Sequence, residues 1–260
     1  MDLQLKDKVI IVTGGAKGIG EGIVNVLARE GAIPVVVGRN ETDNLKVVDQ
    51  ILASGGQAFQ VVAELSDPNA AEKTIEAVIT KYGRIEGLVN NAGVNDSVGL
   101  EHGTYEDFVA SLHKNVIHYY LMAQKALPEL IKSKGSIVNI GSKVADTGQG
   151  GTSAYAASNG ARNALTREWA VELLPHEIRV NAVIVAECFT PLYQTWINSL
   201  PSPEEKLADI TSKIPLGKRM TTAEEIANAV VFLLSDVSSH TTGQFVYIDG
   251  GYVHLDRAIK

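Results

Sequence analysis

The chain has 260 residues, of which 45% are hydrophobic and 20% are charged, so it can bury a large core. Its 23 basic and 30 acidic residues give a net charge of −7, and no long basic run is present, which argues against nucleic acid as a partner. The single cysteine, Cys188, excludes an internal disulfide, and no apolar stretch approaches the roughly 20 residues of a membrane helix. We therefore expect a soluble cytoplasmic protein without a membrane partner.

Short runs rich in β-branched residues alternate with longer helical patterns along the chain. The predicted strands are residues 9–12, 33–37, 59–62, 87–89, 136–140, 178–184 and 244–248. Predicted crossover helices include residues 19–30, 67–82 and 154–174. Because most strand runs are continuously apolar, they are typical of parallel strands covered by helices on both faces. The pattern predicts one α/β domain over residues 1–260, with a doubly wound parallel sheet of about seven strands.

Residues 186–220 interrupt this regular pattern. Prolines separate two short helical patterns there, and the aromatic residues Phe189, Tyr193 and Trp196 lie close together in the sequence. Irregular segments of this length in a compact domain are often functional, so we expect a lid or substrate loop.

A glycine-rich turn, TGGAKGIG, follows the first predicted strand at residues 13–20 and opens a helix. Backbone N–H groups at such a turn, together with the helix dipole, favour a pyrophosphate, although similar turns also join ordinary strands and helices. The residues expected at a dinucleotide are Gly14, Lys17, Gly18, Ile19 and Gly20.

The turn resembles the TGxxxGIG turn of the short-chain dehydrogenases/reductases. The resemblance continues with NNAG at residues 90–93, Asn115, Ser142 and Tyr155, in family order across nearly the whole chain. It implies a Rossmann-like domain with strand order 3-2-1-4-5-6-7, an NAD(P)-dependent enzyme and a homotetramer. By the same resemblance, further residues are expected at the cofactor: Glu64, Leu65, Asn91, Ala92 and Gly93, with Asn90 and Ala92 towards the adenosine and Thr190 at the nicotinamide carboxamide.

The end of the second predicted strand bears on the choice between NAD and NADP. The sequence there is VGRN at residues 37–40, without the acidic residue that would bind a ribose 2′-hydroxyl. Arg39 and Lys17 together could hold a 2′-phosphate, or both could be solvated surface cations. NADP is the predicted cofactor, with NAD as the alternative.

The catalytic residues implied by the family pattern are Asn115, Ser142 and Tyr155, with Tyr155 as the base. The family expects a lysine four residues after the tyrosine, and this chain has Asn159 there. Position 159 lies on the same helix face as Tyr155, so we expect its amide to reach the nicotinamide ribose. Asparagine cannot supply the positive charge that favours a tyrosinate, and only on the order of a thousandth of an ordinary phenol is ionised at neutral pH.

Three hypotheses follow from this substitution: an active enzyme assisted by water or by a cation from Lys143 or Arg162, a weakened enzyme, and a dinucleotide-binding pseudoenzyme. An active enzyme is the expectation. Arg162 itself is expected on the helix face or at a subunit interface.

Polar side chains follow the predicted fourth, fifth and sixth strands, where a doubly wound sheet binds its ligand. The expected substrate residues are Asn95, Asp96, Ser142, Lys143, Gln149, Glu187, Tyr193 and Trp196. Such a set suits a polyhydroxylated sugar, although loop side chains often face water. Segments 91–96, 165–171, 185–187 with 190–193, and 249–257 resemble bacterial L-fucose dehydrogenases, which implies oxidation of an aldose at its anomeric hydroxyl to a lactone. The alternative is a ketoacyl or hydroxysteroid reductase.

The six histidines have no metal-ligand spacing, so no metal site is expected. The tail at residues 252–260 is too short for an element of its own, and the resemblance implies that it packs across a subunit interface, where His254 would be buried.

Overall fold

The computed structural model describes residues 2–255. A parallel sheet of seven strands forms its centre, in the order β3-β2-β1-β4-β5-β6-β7. The strands are β1 (Val9–Thr13), β2 (Ile33–Gly38), β3 (Phe59–Val62), β4 (Gly87–Asn90), β5 (Ser136–Ser142), β6 (Arg179–Val185) and β7 (Phe245–Ile248). The predicted fold class and strand order are confirmed.

Helices cover both faces of this sheet. Within the described residues, the α-helices are α1 (Gly18–Arg29), α2 (Glu41–Ala53), α3 (Ala70–Tyr82), α4 (Tyr105–Leu112), α5 (His118–Ser133), α6 (Val144–Thr147), α7 (Ser153–Glu172), α8 (Pro191–Asn198), α9 (Pro203–Ser212) and α10 (Ala223–Leu234). A single π-helical turn, His113–Ile117, joins α4 to α5.

Alternate residues of the central strands enter two separate hydrophobic cores. Val9 and Ile11 of β1 pack in the core that contains residues of α3 and α5, whereas Ile10 and Val12 pack in the core that contains residues of α1 and α10. Both faces of each central strand must therefore be apolar, which explains the continuous hydrophobic runs in the sequence.

The position of the ligand site follows from the strand order. After β1 the chain places β2 on one side, and β4 then pairs with the other side of β1. The crossovers diverge at this switch point and leave a crevice at the carboxyl ends of β1 and β4. Thr13, Asn90, Ser142 and Val185, the last residues of four neighbouring strands, all lie at this edge.

The irregular segment 186–220 forms α8 and α9 with their connections. Part of the predicted C-terminal tail, residues 256–260, lies outside the described residues. Within the described part, His254 is exposed and lies edge-on to Tyr247, with 4.3 Å between the ring centroids. Among residues 2–255, no helix has the length and apolar character needed to span a bilayer.

Candidate active site

A cleft of about 820 Å³ lies at the carboxyl ends of the strands. Its lining includes sixteen of the residues expected from the sequence: Gly14, Lys17, Gly18, Ile19, Arg39, Glu64, Leu65, Asn91, Ala92, Gly93, Asn95, Asp96, Ser142, Tyr155, Thr190 and Tyr193. Residues predicted for the cofactor, for catalysis and for the substrate thus meet in one cavity. A larger, more open groove of about 980 Å³ runs along α1 and contains none of the predicted catalytic residues.

The glycine-rich turn keeps its backbone uncovered along this cleft. Gly14 and Gly18 have φ values of +65° and +58°, which side chains rarely adopt. A Cβ added at Gly20 would lie 2.1 Å from the Gly14 carbonyl oxygen, so Gly20 allows the turn to close on itself. Asn91 Nδ2 donates to the Thr13 carbonyl oxygen at 2.8 Å and fixes the turn from β4. This uncovered backbone at a helix N-terminus fits a dinucleotide pyrophosphate.

Each of the two cations expected at the 2′-position is close to a carboxylate. Lys17 Nζ lies 2.6 Å from Asp43 Oδ2, and Arg39 Nη1 lies 3.7 Å from Glu64 Oε2. Partial burial tends to raise the pKa of Glu64. Hydrogen bonds from Ser66 and the charge of Arg39 outweigh this effect and lower that pKa below its ordinary value. A 2′-phosphate would therefore compete with the carboxylates of Asp43 and Glu64 for these cations, and Asp43 was not among the residues expected at the cofactor.

Asn90, expected at the adenosine, is fully buried instead. Its Nδ2 donates to Asn139 Oδ1 of β5 at 3.1 Å, so it joins two strands of the sheet. The side chain of Asn90 lies between β4, β5 and α5, and the residues of this segment that line the cleft begin at Asn91.

Asn115 lies in the π-helical turn and is fully buried. Its side-chain Oδ1 accepts from the Val94 N–H at 2.8 Å, and its Nδ2 donates to the Ser111 carbonyl oxygen at 3.0 Å. A π-turn widens the helix and releases a carbonyl group from the regular i→i+4 pattern. The Asn115 carbonyl oxygen is thereby available to a side chain, and Arg162 Nε donates to it at 2.7 Å.

Asn159 does not line the cleft, contrary to the expectation that it reaches the ribose. Its side chain is fully buried, Nδ2 donates to the Tyr155 carbonyl oxygen at 2.8 Å, and Oδ1 accepts from Arg162 Nη1 at 3.1 Å. Both polar atoms of the amide are thus used inside the protein.

Arg162, expected as a helix-face or subunit-interface residue, is only 3% exposed and therefore lies inside the protein. It lines the cleft, and besides Asn115 and Asn159 it donates through Nη1 to the Ile140 carbonyl oxygen at 3.1 Å. Its guanidinium carbon lies 4.3 Å from the ring centroid of Tyr119 and 6.0 Å from that of Tyr155. The structure therefore places a buried cation close to the predicted base.

The other cation suggested by the sequence, Lys143, forms an ion pair with Glu187. The two side chains are 10% and 15% exposed, and Lys143 Nζ also lies 3.9 Å from the centroid of the Tyr252 ring. Burial and the Glu187 carboxylate raise the pKa of Tyr193 above its ordinary value. A charged and aromatic cluster therefore adjoins the cleft at the end where Ser142 lies.

The remaining substrate predictions are distributed unevenly. Asp96 accepts from Ser111 Oγ at 2.8 Å and lies 3.5 Å from Lys114 Nζ, so part of its binding capacity is already used. Gln149 is exposed and does not line the cleft. Trp196 is 43% exposed and stacks edge-on with Tyr193, also outside the cleft. In the part of the chain that the structure describes, no group of three or more His, Cys, Asp or Glu side chains could hold a metal ion.

The sequence argument missed several residues around the cleft. Lys114, His118 and Cys188 line it, and Tyr252 covers Lys143. Of these residues, only His118 could have been predicted from the sequence. It follows Asn115 by three residues, so the helical period places it on the same side of the helix as that expected catalytic residue. The others depend on contacts between distant segments.

Comparison with known proteins shows what this chain is similar to. A family model described as enoyl-(acyl carrier protein) reductase matches residues 14–253. The 3-oxoacyl-[acyl-carrier-protein] reductase FabG of Thermotoga maritima is 37% identical over 253 residues, covering 96% of this chain and 100% of that protein. The L-fucose dehydrogenase of Bos taurus is 32% identical over 252 residues, covering 96% of this chain and 91% of that protein.

Solved structures agree over the full length. The crystal structure of Cj0485 dehydrogenase has a TM-score of 0.95 and 46% identity, and the match covers 100% of this chain and 99% of that chain. The aldohexose dehydrogenase of Thermoplasma acidophilum has a TM-score of 0.89 and 29% identity, with the same coverage. Both acyl-carrier-protein reductases and sugar dehydrogenases are thus among the similar proteins.

His118 generates a testable pH dependence. Burial, with the Arg162 charge, lowers the pKa of His118 from 6.5 to about 4. Between these two pH values the unfolded state binds a proton at His118 and the folded state does not. The contribution of His118 to the free energy of unfolding is therefore fully present above pH 6.5 and is lost as the pH falls towards 4. The full loss is on the order of 3 kcal/mol.

We expect His118→Gln to remove the part of the pH dependence of stability that comes from His118. Urea unfolding at about pH 7 and about pH 4.5, at one protein concentration, measures it, and the parent should lose about 2–3 kcal/mol more than the variant. His102→Gln, at an exposed histidine, is the control and should behave like the parent. Equal losses in the parent and His118→Gln would contradict the assignment.

Proposed function

Because the chain belongs to the short-chain dehydrogenase/reductase family and is an NAD(P)-dependent oxidoreductase, we propose that its substrate is a sugar of the L-fucose type. The proposed reaction is oxidation of the anomeric hydroxyl to a lactone.

The buried Lys143–Glu187 ion pair beside Ser142 is the observation on which the proposal depends. An ammonium and a carboxylate in this position can donate to and accept from several hydroxyl groups of one ring. An acyl chain or a steroid has few hydroxyl groups to offer such a pair, so it would gain fewer charge-assisted hydrogen bonds there than a sugar would. Lys143 and Glu187 adjoin the cleft without lining it, whereas Asn95 and Asp96 line it and add further polar groups.

The residues of the cleft divide the chemistry between them. A bound nicotinamide supplies the acceptor for the hydride. Tyr155 takes the proton from the anomeric hydroxyl, and Ser142 holds the oxygen of that hydroxyl in place. Gly14, Gly18 and Asn91, at the glycine-rich turn, would hold the dinucleotide in the cleft that Tyr155 also lines.

Relatives support two substrate classes. The bovine L-fucose dehydrogenase and the archaeal aldohexose dehydrogenase favour a sugar, whereas the Thermotoga reductase favours a ketoacyl substrate. The ketoacyl or steroid ketone reductase is therefore the second candidate. Substrate identity changes easily within one fold, so the proposal of a sugar is based on the polar groups at and beside the cleft and not on the relatives.

A substrate panel tests the proposal. We expect aldoses such as L-fucose to yield a lactone or its acid together with reduced cofactor. Lys143→Met should raise KM for the sugar about tenfold, as for loss of a charge-assisted hydrogen bond, and should leave cofactor binding unchanged. The matched control is Lys132→Met, which removes an exposed lysine paired with Glu129. Reduction of β-ketoacyl or steroid ketones without any aldose oxidation would decide for the second candidate.

We also propose that NADP is preferred to NAD. Arg39 lines the cleft beyond β2, and Lys17 lies at the glycine turn, so both can approach a 2′-phosphate. Glu64 and Asp43 pair with these cations and compete with the 2′-phosphate for them, so they should reduce the difference in affinity between NADP and NAD.

Calorimetric titration with both cofactors measures this preference. Arg39→Ala should weaken NADP binding several-fold and leave NAD binding nearly unchanged, because only NADP carries the additional phosphate. Glu64→Gln should strengthen NADP binding, since it removes the competing anion. Arg29→Ala, at an exposed arginine paired with Glu224, should change neither affinity. An NAD affinity equal to or tighter than that for NADP in the parent would refute the proposal.

Four further assignments are proposed. The composition supports a cytoplasmic location, and the irregular pattern of residues 186–220 supports a substrate lid. The family resemblance supports a homotetramer in which the end of the chain contributes to a subunit interface. A closed tetramer would use the same surface on each subunit.

A further inference from the structure

The charge on Arg162 has no partner of opposite sign nearby. Within residues 2–255, no carboxylate lies at ion-pair distance from its guanidinium, which instead donates to the carbonyl oxygens of Asn115 and Ile140 and to the side-chain oxygens of Asn115 and Asn159. Burial of such a charge costs several kcal/mol. A protein retains it when the position has a use that a neutral side chain cannot serve.

We propose that Arg162 is the positioning cation that stabilises the tyrosinate form of Tyr155, in place of the lysine that the family pattern expects at position 159. The inference extends the proposed function, in which Tyr155 is the base. Arg162 acts through space, because its guanidinium lies 6.0 Å from the Tyr155 ring and touches no reacting atom.

The other charged groups around Tyr155 do not supply this charge. On α5, burial keeps His118 neutral at physiological pH, since its pKa is lowered to about 4, and burial raises the pKa of Tyr119 to about 12. In the π-turn Lys114 pairs with Asp96, and after β5 Lys143 pairs with Glu187. The Glu64 carboxylate after β3 pairs with Arg39. Arg162 is thus the cation near the cleft without an adjacent anion, among the described residues.

Asn159 holds this cation in place. Its Oδ1 accepts from Arg162 Nη1 at 3.1 Å, and its Nδ2 is fixed by the Tyr155 carbonyl oxygen one turn earlier on α7. Tyr155, Asn159 and Arg162 follow at i, i+4 and i+7, which places them on one face of the helix. A lysine at position 159 would put a second cation against the first.

The expected effect is large enough to measure. The guanidinium carbon of Arg162 lies 6.0 Å from the centroid of the Tyr155 ring. Two unit charges separated by about 6 Å would interact by the equivalent of about two pH units at an effective dielectric constant of about 20. Because solvent in the cleft screens part of this interaction, we expect a neutral residue at position 162 to move the ionisation of Tyr155 upwards by about one to two pH units.

Ionisation of Tyr155 can be followed without any substrate. The absorbance of tyrosinate is recorded against pH for the parent, Arg162→Met and Arg162→Lys, and in each case the titration of the same protein with Tyr155→Phe is subtracted. The midpoint should rise by about one to two pH units in Arg162→Met and stay within about half a unit of the parent in Arg162→Lys. Arg167→Met, at an exposed arginine over the Phe245 ring on the same helix, is the control and should leave the midpoint unchanged.

An unchanged midpoint in Arg162→Met, with NADP still bound and the thermal unfolding still cooperative, would overturn the proposal. If Arg162→Met does not fold, Arg162→Gln keeps hydrogen-bond donors without the charge, and the same shift is required of it. Because this titration needs no turnover, a failure to oxidise sugars would refute the substrate assignment and leave the role of Arg162 to be decided by the midpoint alone.

Discussion

The guanidinium of Arg162 is buried beside the predicted base, and its charge constrains the groups around it. An arginine in this position needs several acceptors in fixed directions, because each unmet donor in a low-dielectric environment is costly. The chain supplies them from three elements: the π-turn, the end of β5 and α7 itself. The widened turn at Asn115 therefore has a physical reason, since it frees the carbonyl oxygen that Arg162 Nε binds. The same need for acceptors explains an asparagine at position 159. Its amide oxygen accepts a hydrogen bond from Arg162, whereas a lysine there would repel the guanidinium.

The fold itself could be predicted because its signals are local. Continuous apolar strands, a glycine-rich turn directly after β1 and amphipathic crossovers fix a parallel sheet, and the strand order places the ends of β1, β4, β5 and β6 along one crevice. The family resemblance, and not these local signals, indicated Ser142 and Tyr155, and both line one cleft with residues of the glycine turn. These local signals do not show whether the last residue of a strand faces the cavity. Asn90, at the end of β4, is buried in the sheet, and only the residues after it line the cavity.

The rest of the site depends on contacts that spacing does not reveal. Lys17 and Arg39 look like free cations in the sequence, but Asp43 and Glu64 come from α2 and from the loop after β3. Lys143 and Glu187 are 44 residues apart and meet only because β5 and β6 are neighbours in the sheet. The helical period does place Arg162 on the same face of α7 as Tyr155, but only the packing of α7 against β5 and the π-turn buries that face. Gln149 and Trp196 belong to segments after β5 and β6, and the sequence does not show whether their side chains face the cleft.

If Arg162 and Asn159 together replace one lysine, a double-mutant cycle should show that the two positions are coupled. Turnover of the sugar at neutral pH is compared for the parent, Asn159→Lys, Arg162→Met and the double variant. Asn159→Lys should give no gain in the parent, where it meets the Arg162 charge, but should raise kcat at least about tenfold in the Arg162→Met background, where it restores a positive charge beside Tyr155. An equal effect of Asn159→Lys in both backgrounds would contradict this coupling, because the two positions would then act independently.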